Sequence, residues 1–187
     1  RVQAGGFFQV NRFLIDTMVS LVTAQRSGQH AWDLYAGAGL FTAALTQHFA
    51  QVTAVEIGEA SFRELSSLVT APHRALRATT AEFLRRGKLQ TPDLIVVDPP
   101  RAGLGPEVVE RLAALQAPRI VYVSCDPATF SRDAAGLLQS GYTLAELHLV
   151  DARRVLLREA AEIEGEPHAD DALAVGDEQV HGRLGGD

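Results

Sequence analysis

The residue with the most obvious chemical potential is Cys125, the only cysteine in the 187-residue chain. It ends an apolar, strand-like run within VYVSCDPATF, and Asp126 and Pro127 then predict the start of a helix. A lone cysteine is more often a small buried side chain, but such a residue normally lies within a strand. A helix N-terminus favours the nucleophilic thiolate, so from these residues alone a structural and a catalytic Cys125 are about equally plausible.

A single cysteine limits the chemistry that the chain can support. It allows no internal disulfide and no cluster of thiolate ligands, so we expect neither a metal site nor an iron–sulfur cluster in this chain. A reducing, cytoplasmic setting is the corresponding expectation. No apolar run approaches the length of a membrane span, so we expect no membrane association.

A second candidate is Asp98, which follows the apolar run DLIVV and begins the sequence DPPRAG. Pro99 and Pro100 restrict the backbone directly after the strand, which would hold the carboxylate rigidly. Methyltransferases that act on amines commonly carry an aromatic residue in the fourth position of this motif, whereas this chain has Arg101. The arginine therefore argues against an exocyclic amine as methyl acceptor. The alternative is a strand cap followed by a surface arginine.

A glycine pair, Gly37 and Gly39, follows the strand candidate AWDLY in the sequence DLYAGAGL. Glycines at such a bend let a ligand approach the backbone closely. The dinucleotide fingerprint needs a third glycine where this chain has Thr42, which disfavours a nicotinamide dehydrogenase and suits an adenosyl ligand without pyrophosphate. Glu56 ends the next strand candidate, where a carboxylate can accept both ribose hydroxyl hydrogen bonds. A plain tight turn with a solvated glutamate remains the alternative.

The pattern of apolar residues predicts alternating strands and helices. Helices are predicted over 13–24, 40–49, 59–69, 80–86, 106–115 and 127–138, and strands over 31–35, 52–56, 75–78, 93–97, 119–124 and 142–150. This order is typical of an α/β fold with an open, mostly parallel sheet and helices on both faces. Ligands bind such sheets beyond the carboxyl ends of the strands, which is where the residues above are expected.

Charge divides the chain unevenly. Residues 159–187 contain nine acidic residues and one basic residue, a net charge of −8, whereas residues 1–158 contain 16 basic and 14 acidic residues, a net charge of +2. We therefore expect a folded domain over 1–158 and a largely disordered acidic tail over 159–187. Because the first residue is Arg1 and not methionine, we also expect this chain to be a piece of a longer protein.

Five stretches in this order, FFQVN, DLYAGAG, VE, DPPRAG and SCDPATFSRD, resemble the RNA 5-methyluridine methyltransferases. That family uses S-adenosyl-L-methionine to methylate uracils of transfer and ribosomal RNA. The resemblance extends from about Gly5 to Asp151 and implies a class I methyltransferase, Rossmann-like fold. It also implies RNA (tRNA or rRNA) as the partner, and we expect a monomer.

The resemblance also assigns roles to single residues. Gln9, Tyr35, Glu56 and Thr80 would hold the cofactor, with Glu56 on the ribose and Thr80 near the adenine. Asp98 would lie between the cofactor and the uracil, and Cys125 would attack C6 of the ring, which activates C5 for methylation. Gly37 and Gly39 belong to the same cofactor pocket. Asn11, two residues after Gln9, is predicted instead to cap the first helix.

Two further arginines and one missing motif complete the sequence-based picture. Arg101 and Arg132 are predicted to contact a phosphate or the uracil, with ordinary surface charges as the alternative. Relatives carry a His-x-Glu segment near the C-terminus whose glutamate removes the uracil proton, and this chain lacks it. Glu159, Glu162 and Glu164 remain as candidates for that base.

Two other functions stay open at this point. The chain could be a class I methyltransferase of another substrate in which Cys125 is structural, or a non-catalytic fragment that binds RNA or a nucleotide.

Overall fold

The computed structural model describes residues 12–23, 26–87, 89–150 and 158–165. Six helices alternate with six strands in this part of the chain, and a seventh strand ends it. The helices are α1 Arg12–Thr23, α2 Leu40–Leu45, α3 Glu59–Leu68, α4 Thr80–Leu84, α5 Pro106–Leu115 and α6 Pro127–Gln139. The strands are β1 Gly28–Leu34, β2 Phe49–Glu56, β3 Arg74–Arg77, β4 Leu94–Val97, β5 Arg119–Ser124, β6 Thr143–Val150 and β7 Arg158–Glu164.

All seven strands form one sheet in the order β3-β2-β1-β4-β5-β7-β6. The pairs β3–β2, β2–β1, β1–β4 and β4–β5 are parallel, whereas β7 runs antiparallel to both β5 and β6. The prediction of an open, mostly parallel sheet is therefore confirmed. The strand order changes direction at β1 and β4, and this switch point is where such sheets bind ligands.

Alternating side chains of the central strands supply a core on each face of the sheet. On one face, Trp32, Ile95 and Tyr122 pack under α4, α5 and α6. On the other face, Ala31 and Val96 pack under α1 and α2. All four residues of β4 are buried, because helices cover both of its faces. The helices on both faces that the sequence predicts are thus confirmed.

The seventh strand corrects one boundary of the sequence-based prediction. Residues 159–164 were expected in the disordered tail, but they form most of β7, which lies between β5 and β6. The side chain of Ile163 is fully buried in the core beneath α6. The prediction failed because REAAEIE carries a charge at almost every second position, which resembles a solvated segment. Residues 166–187 of the predicted tail, and Gln9 and Asn11, lie outside the described residues.

No helix within the described ranges is both long and apolar enough to cross a lipid bilayer.

A buried carboxylate joins β1 to α2 at the base of the ligand edge. Asp33 is fully buried, and its Oδ2 accepts a hydrogen bond of 2.5 Å from the hydroxyl of Thr42. Its Oδ1 has no hydrogen-bond partner among the described residues. Burial raises the pKa of Asp33 from 3.8 to about 7; the Thr42 hydrogen bond opposes this shift, and the charges of Asp98 and Glu56 add to it.

The raised pKa predicts a specific dependence of stability on pH. Between about pH 4 and pH 7 the folded chain holds a proton on Asp33 that the unfolded chain releases, so the free energy of unfolding falls as the pH rises. At most ~4 kcal/mol is involved, since each pKa unit corresponds to about 1.4 kcal/mol. Chemical denaturation at several pH values should show a flatter slope for Asp33→Asn. Asp16→Asn, which changes an exposed aspartate on α1, is the matched control. An unchanged slope in Asp33→Asn would contradict this assignment.

Candidate active site

The parallel register brings four strand ends to one level. Leu34 of β1 pairs with Val55 of β2 and with Val97 of β4, and Val97 pairs with Tyr122 of β5. The next residues of β2, β1 and β4 are Glu56, Tyr35 and Asp98, and Cys125 lies three residues beyond Tyr122. Neighbouring strands are about 4.8 Å apart, so the row from β2 to β5 spans roughly 14 Å. The predicted site residues on these strands therefore share one edge of the sheet.

The glycine bend after β1 forms one end of this row. Gly37 has a φ of 57°, and a Cβ atom added there would meet no other atom within 4 Å. Open space therefore lies directly against the backbone of Gly37, where a ligand can approach. Gly39 has a φ of 94°, and an added Cβ would lie 3.0 Å from Leu65 of α3. Gly39 thus leaves room for Leu65 and Leu68 of α3 beside the bend, a reason for the second glycine that the sequence did not reveal.

Glu56 is held in place at the end of β2. One carboxylate oxygen accepts a hydrogen bond of 2.8 Å from the backbone N–H of Gly37, and the other accepts one of 2.5 Å from the N–H of Gly58. A side chain at residue 58 would collide with this carboxylate, since its Cβ would lie 2.8 Å from the oxygen. The side chain is half-buried, and each oxygen has a second lone pair for a ligand hydroxyl.

Tyr35 and Thr80 meet beside the bend. Tyr35 has a φ of 63°, a conformation that costs free energy for a residue other than glycine and is found mostly at functional positions. Burial raises the pKa of the Tyr35 hydroxyl, a hydrogen bond with the Thr80 side chain opposes the shift, and the charge of Asp133 adds to it. Thr80 is buried as the first residue of α4. The structure thus brings these two predicted cofactor residues together.

The DPPRAG sequence forms a short loop between β4 and α5. The backbone N–H of Asp98 donates to the carbonyl of Leu34, which ties the loop to β1, and Gly103 N–H donates to the carbonyl of Pro100 and closes a turn. Asp98 is half-buried at the switch point of the sheet, and Arg101 is exposed at the tip of the loop.

Cys125 lies in a tight turn between β5 and α6 and is partly exposed. The Ser124 hydroxyl donates to the carbonyl of Asp126 and accepts a hydrogen bond of 3.1 Å from the Asp126 N–H. The Asp126 carboxylate caps α6 by accepting a hydrogen bond of 2.9 Å from the Thr129 N–H. Both ends of the turn are therefore fixed around the cysteine, and Cys125 as a residue is only partly buried.

Electrostatics link this turn to the DPPRAG loop. Hydrogen bonding from the Thr129 backbone lowers the pKa of Asp126, and the charge of Arg101 contributes to the shift. The charge of Arg101, in the loop after β4, therefore acts on the turn that follows β5.

Arg132 has a different environment from the one predicted. Its guanidinium lies 2.8 Å from Oδ1 of Asp133 and donates a hydrogen bond of 2.9 Å to the carbonyl of Ala102. These contacts give it a role within the protein, and a contact with RNA stays a prediction.

Asp133 itself was missed by the sequence analysis. The available signal was a charged residue on the face of α6 that also carries Phe130 and Leu137, both in the core.

The candidate bases on β7 differ in their distance from the cysteine. In the antiparallel pairing of β7 with β5, Glu159 lies opposite Ser124, Glu162 opposite Val121 and Glu164 opposite Arg119. Since a strand rises about 3.3 Å per residue, Glu162 and Glu164 lie roughly 10 Å and 17 Å farther from the Cys125 end than Glu159 does. Among the three, the backbone of Glu159 is therefore the one beside the turn.

Comparison with known proteins agrees with this architecture. Residues 81–154 match the family model described as tRNA (uracil-5-)-methyltransferase. A relative from Streptomyces avermitilis, described as an uncharacterized RNA methyltransferase, is 37% identical over 159 residues, which cover 81% of this chain and 37% of that protein. A relative from Nitratidesulfovibrio vulgaris with the same description is 42% identical over 132 residues, covering 66% of this chain and 28% of that protein. The chain thus spans only about a third of the length of these relatives.

Solved structures show the same fold. The tRNA (uracil-54, C5)-methyltransferase of Pyrococcus abyssi, determined in complex with S-adenosyl-L-homocysteine, superposes with a TM-score of 0.74 at 28% identity over 85% of this chain and 40% of that one. The N-methyltransferase NodS of Bradyrhizobium japonicum superposes with a TM-score of 0.66 over 83% of this chain and 87% of that one, but at 16% identity it shares the fold alone. The class I methyltransferase fold is therefore confirmed. On the family match, the curated relatives and this fold, the chain belongs to the RNA methyltransferases, and residues 81–154 carry the match to the tRNA (uracil-5-)-methyltransferase model.

Proposed function

We propose that this chain transfers a methyl group from S-adenosyl-L-methionine to C5 of a uridine in RNA, through a covalent bond between Cys125 and C6 of the uracil. One observation carries this proposal: the only thiol of the chain is partly exposed in a fixed turn, one strand away from Asp98, on the edge that also holds Glu56.

The residues at the glycine bend fit an adenosyl group. The open side of Gly37 leaves room against the backbone, and the Glu56 carboxylate has lone pairs available for the two ribose hydroxyls. Tyr35 and Thr80 would flank the adenine side of the pocket. When bound, this cofactor supplies a methyl group on an electrophilic sulfonium. A ligand that runs along the row from Glu56 would carry that methyl group toward Asp98 and Cys125.

The thiolate solves a chemical problem of the substrate. C5 of uracil is too weak a nucleophile to take a methyl group directly. Addition of the Cys125 thiolate to C6 breaks the C5–C6 double bond and places the electron pair on C5 and the adjacent carbonyl. C5 then forms the bond to the methyl group while the bond between that carbon and the sulfonium sulfur breaks, which leaves a neutral thioether. A base removes the proton from C5, the double bond reforms, and the C6–S bond breaks to release the thiolate.

We assign the base to Glu159. Its backbone pairs with Ser124, the residue before the nucleophile, whereas Glu162 and Glu164 pair with residues farther back along β5. The assignment replaces the His-x-Glu segment that the chain lacks with a glutamate on the strand next to the cysteine.

Asp98 would bind the uracil ring, and Arg101 would bind the uracil or a phosphate of the RNA backbone. Asp98 lies between the ends of β1 and β5 and can accept a hydrogen bond from the N3–H of the ring. Arg101 is exposed beside the Cys125 turn, where a guanidinium can hold a phosphate or a uracil carbonyl. The target base must leave its stack to reach the sulfur, so we expect a single-stranded loop or a flipped nucleotide of tRNA or rRNA as substrate. The reducing cytoplasm is the setting that this thiol chemistry requires.

Trapping with 5-fluorouridine tests the nucleophile. Fluorine at C5 cannot be removed as a proton, so the chain incubated with S-adenosylmethionine and a 5-fluorouridine RNA should form a stable adduct, seen as a mass shift on the peptide that contains Cys125. Cys125→Ala should form no adduct and lose methyl transfer by at least about 10³-fold, since the covalent route is closed. Its affinity for S-adenosylmethionine, measured by calorimetry, should stay unchanged. Methyl transfer by Cys125→Ala would refute the covalent route and favour another substrate with a structural cysteine.

The base is tested with unmodified uridine RNA. Glu159→Gln should still form the C6 adduct and transfer the methyl group, but the adduct should accumulate because the C5 proton stays in place. We expect turnover to fall by about 10²–10⁴-fold, the usual contribution of a general base. Glu162→Gln and Glu164→Gln are the matched controls on the same strand and should turn over normally. If either control traps the adduct and Glu159→Gln does not, the assignment to Glu159 is wrong.

A further inference from the structure

The buried carboxylate of Asp133, on α6, accepts hydrogen bonds from several groups near the candidate active site. The side chain of Asp133 is only 2% exposed. Its Oδ2 accepts hydrogen bonds from the backbone N–H of Leu104 at 2.7 Å and from the Tyr122 hydroxyl at 2.9 Å. Its Oδ1 accepts two from the Arg132 guanidinium, at 3.0 and 2.8 Å. A buried charge is tolerated only when it is paired and hydrogen-bonded, and here donors reach both oxygens.

These donors come from the elements that carry the proposed catalytic residues. Tyr122 lies on β5, three residues before Cys125. Leu104 lies in the loop between β4 and α5 that begins with Asp98 and carries Arg101. Arg132 extends the same network, since it also donates to the carbonyl of Ala102. The loop is therefore held on both sides of Gly103, at Ala102 and at Leu104.

Gly103 shows how closely the loop lies against this carboxylate. An added Cβ would lie 2.6 Å from the Arg132 guanidinium and would also collide with Oδ2 of Asp133. The residue has a φ of 77°, which glycine adopts without strain. The glycine of the DPPRAG sequence is thus required by the contact with the Asp133–Arg132 pair.

From this geometry we propose that Asp133 is a positioning residue for the methylation reaction: it locks the loop bearing Asp98 and Arg101 against the strand and turn bearing Cys125. This role rests on the proposed function, because it concerns addition of the Cys125 thiolate to a base held by that loop. Asp133 touches neither substrate nor cofactor in this role. Its removal would leave the loop N–H, the tyrosine hydroxyl and the guanidinium without their shared acceptor, and the loop would be free to move away from the cysteine.

The test compares Asp133→Asn with Leu137→Ala in the full 187-residue chain. Leu137 is fully buried one helical turn farther along α6, and its aliphatic side chain makes no hydrogen bond. This control therefore reproduces a loss of stability without removing the hydrogen bonds that hold the loop. Two rates are measured well below both melting temperatures. The first is adduct formation with 5-fluorouridine RNA at saturating cofactor, and the second is trypsin cleavage after Arg101, which is exposed in the loop.

We expect Asp133→Asn to form the adduct at least ~10-fold more slowly than wild type, since misplacement by about 1 Å can cost 10²-fold in rate. Its affinity for S-adenosylmethionine should stay within about twofold of wild type, because the hydrogen bonds of Glu56 with Gly37 and Gly58 do not involve Asp133 and its only effect on Tyr35 is through its charge. Cleavage after Arg101 should accelerate, and Leu137→Ala should change neither rate.

Should Asp133→Asn fail to fold, Tyr122→Phe removes one hydrogen bond of the network and should slow adduct formation to a smaller extent.

Two results would overturn the positioning role. One is cleavage that accelerates in Asp133→Asn while the adduct forms at the wild-type rate, and the other is an equal slowing in Asp133→Asn and Leu137→Ala. A wild-type chain that forms no adduct would instead refute the proposed function itself, and the positioning role with it. The cleavage assay then still shows whether Asp133 holds the loop.

Discussion

The parallel register of β2, β1, β4 and β5 is the constraint on which the rest of the structure depends. Backbone hydrogen bonds align Val55, Leu34, Val97 and Tyr122 across four strands, so the residues after them emerge at one edge. A shift of one residue in any pair would turn side chains to the opposite face of the sheet. Because helices bury both faces of β4 and β5, such a shift would move apolar residues out of two cores.

Two buried carboxylates then connect this edge to the helices behind it. Asp33 binds Thr42 of α2 at the glycine bend, and Asp133 binds the DPPRAG loop to α6 and β5. Their environments differ, since Oδ1 of Asp33 lacks a partner among the described residues, whereas both oxygens of Asp133 are hydrogen-bonded. Burial raises the pKa of Asp33 to about 7, and the hydrogen bond from Thr42 opposes this shift. Each carboxylate supports the local geometry at one end of the row between Glu56 and Cys125.

Local sequence patterns were sufficient to predict most of the fold. Continuous apolar runs such as LIVV identify strands buried on both faces, and glycines and prolines mark where each element ends. The strand β7 escaped prediction because its alternating charges are compatible with a solvated segment, and only its pairing with β5 and β6 makes it a strand. Motifs located Glu56, Asp98 and Cys125, since Glu56 ends a strand and the other two directly follow one. Asp133 and the engagement of Arg132 could not be predicted in this way, because they depend on a contact between α6 and a loop thirty residues earlier in the chain.

In the proposed function, the cofactor binds at the Glu56 end of the row and the covalent chemistry takes place at the Cys125 end. Calorimetric titration of S-adenosylmethionine into wild type, Glu56→Gln and Cys125→Ala tests this arrangement most directly. We predict a dissociation constant raised at least ~10-fold in Glu56→Gln, consistent with the loss of hydrogen bonds to a charged group, and unchanged in Cys125→Ala. Equal affinity in wild type and Glu56→Gln, or no binding by the wild-type chain, would contradict the account.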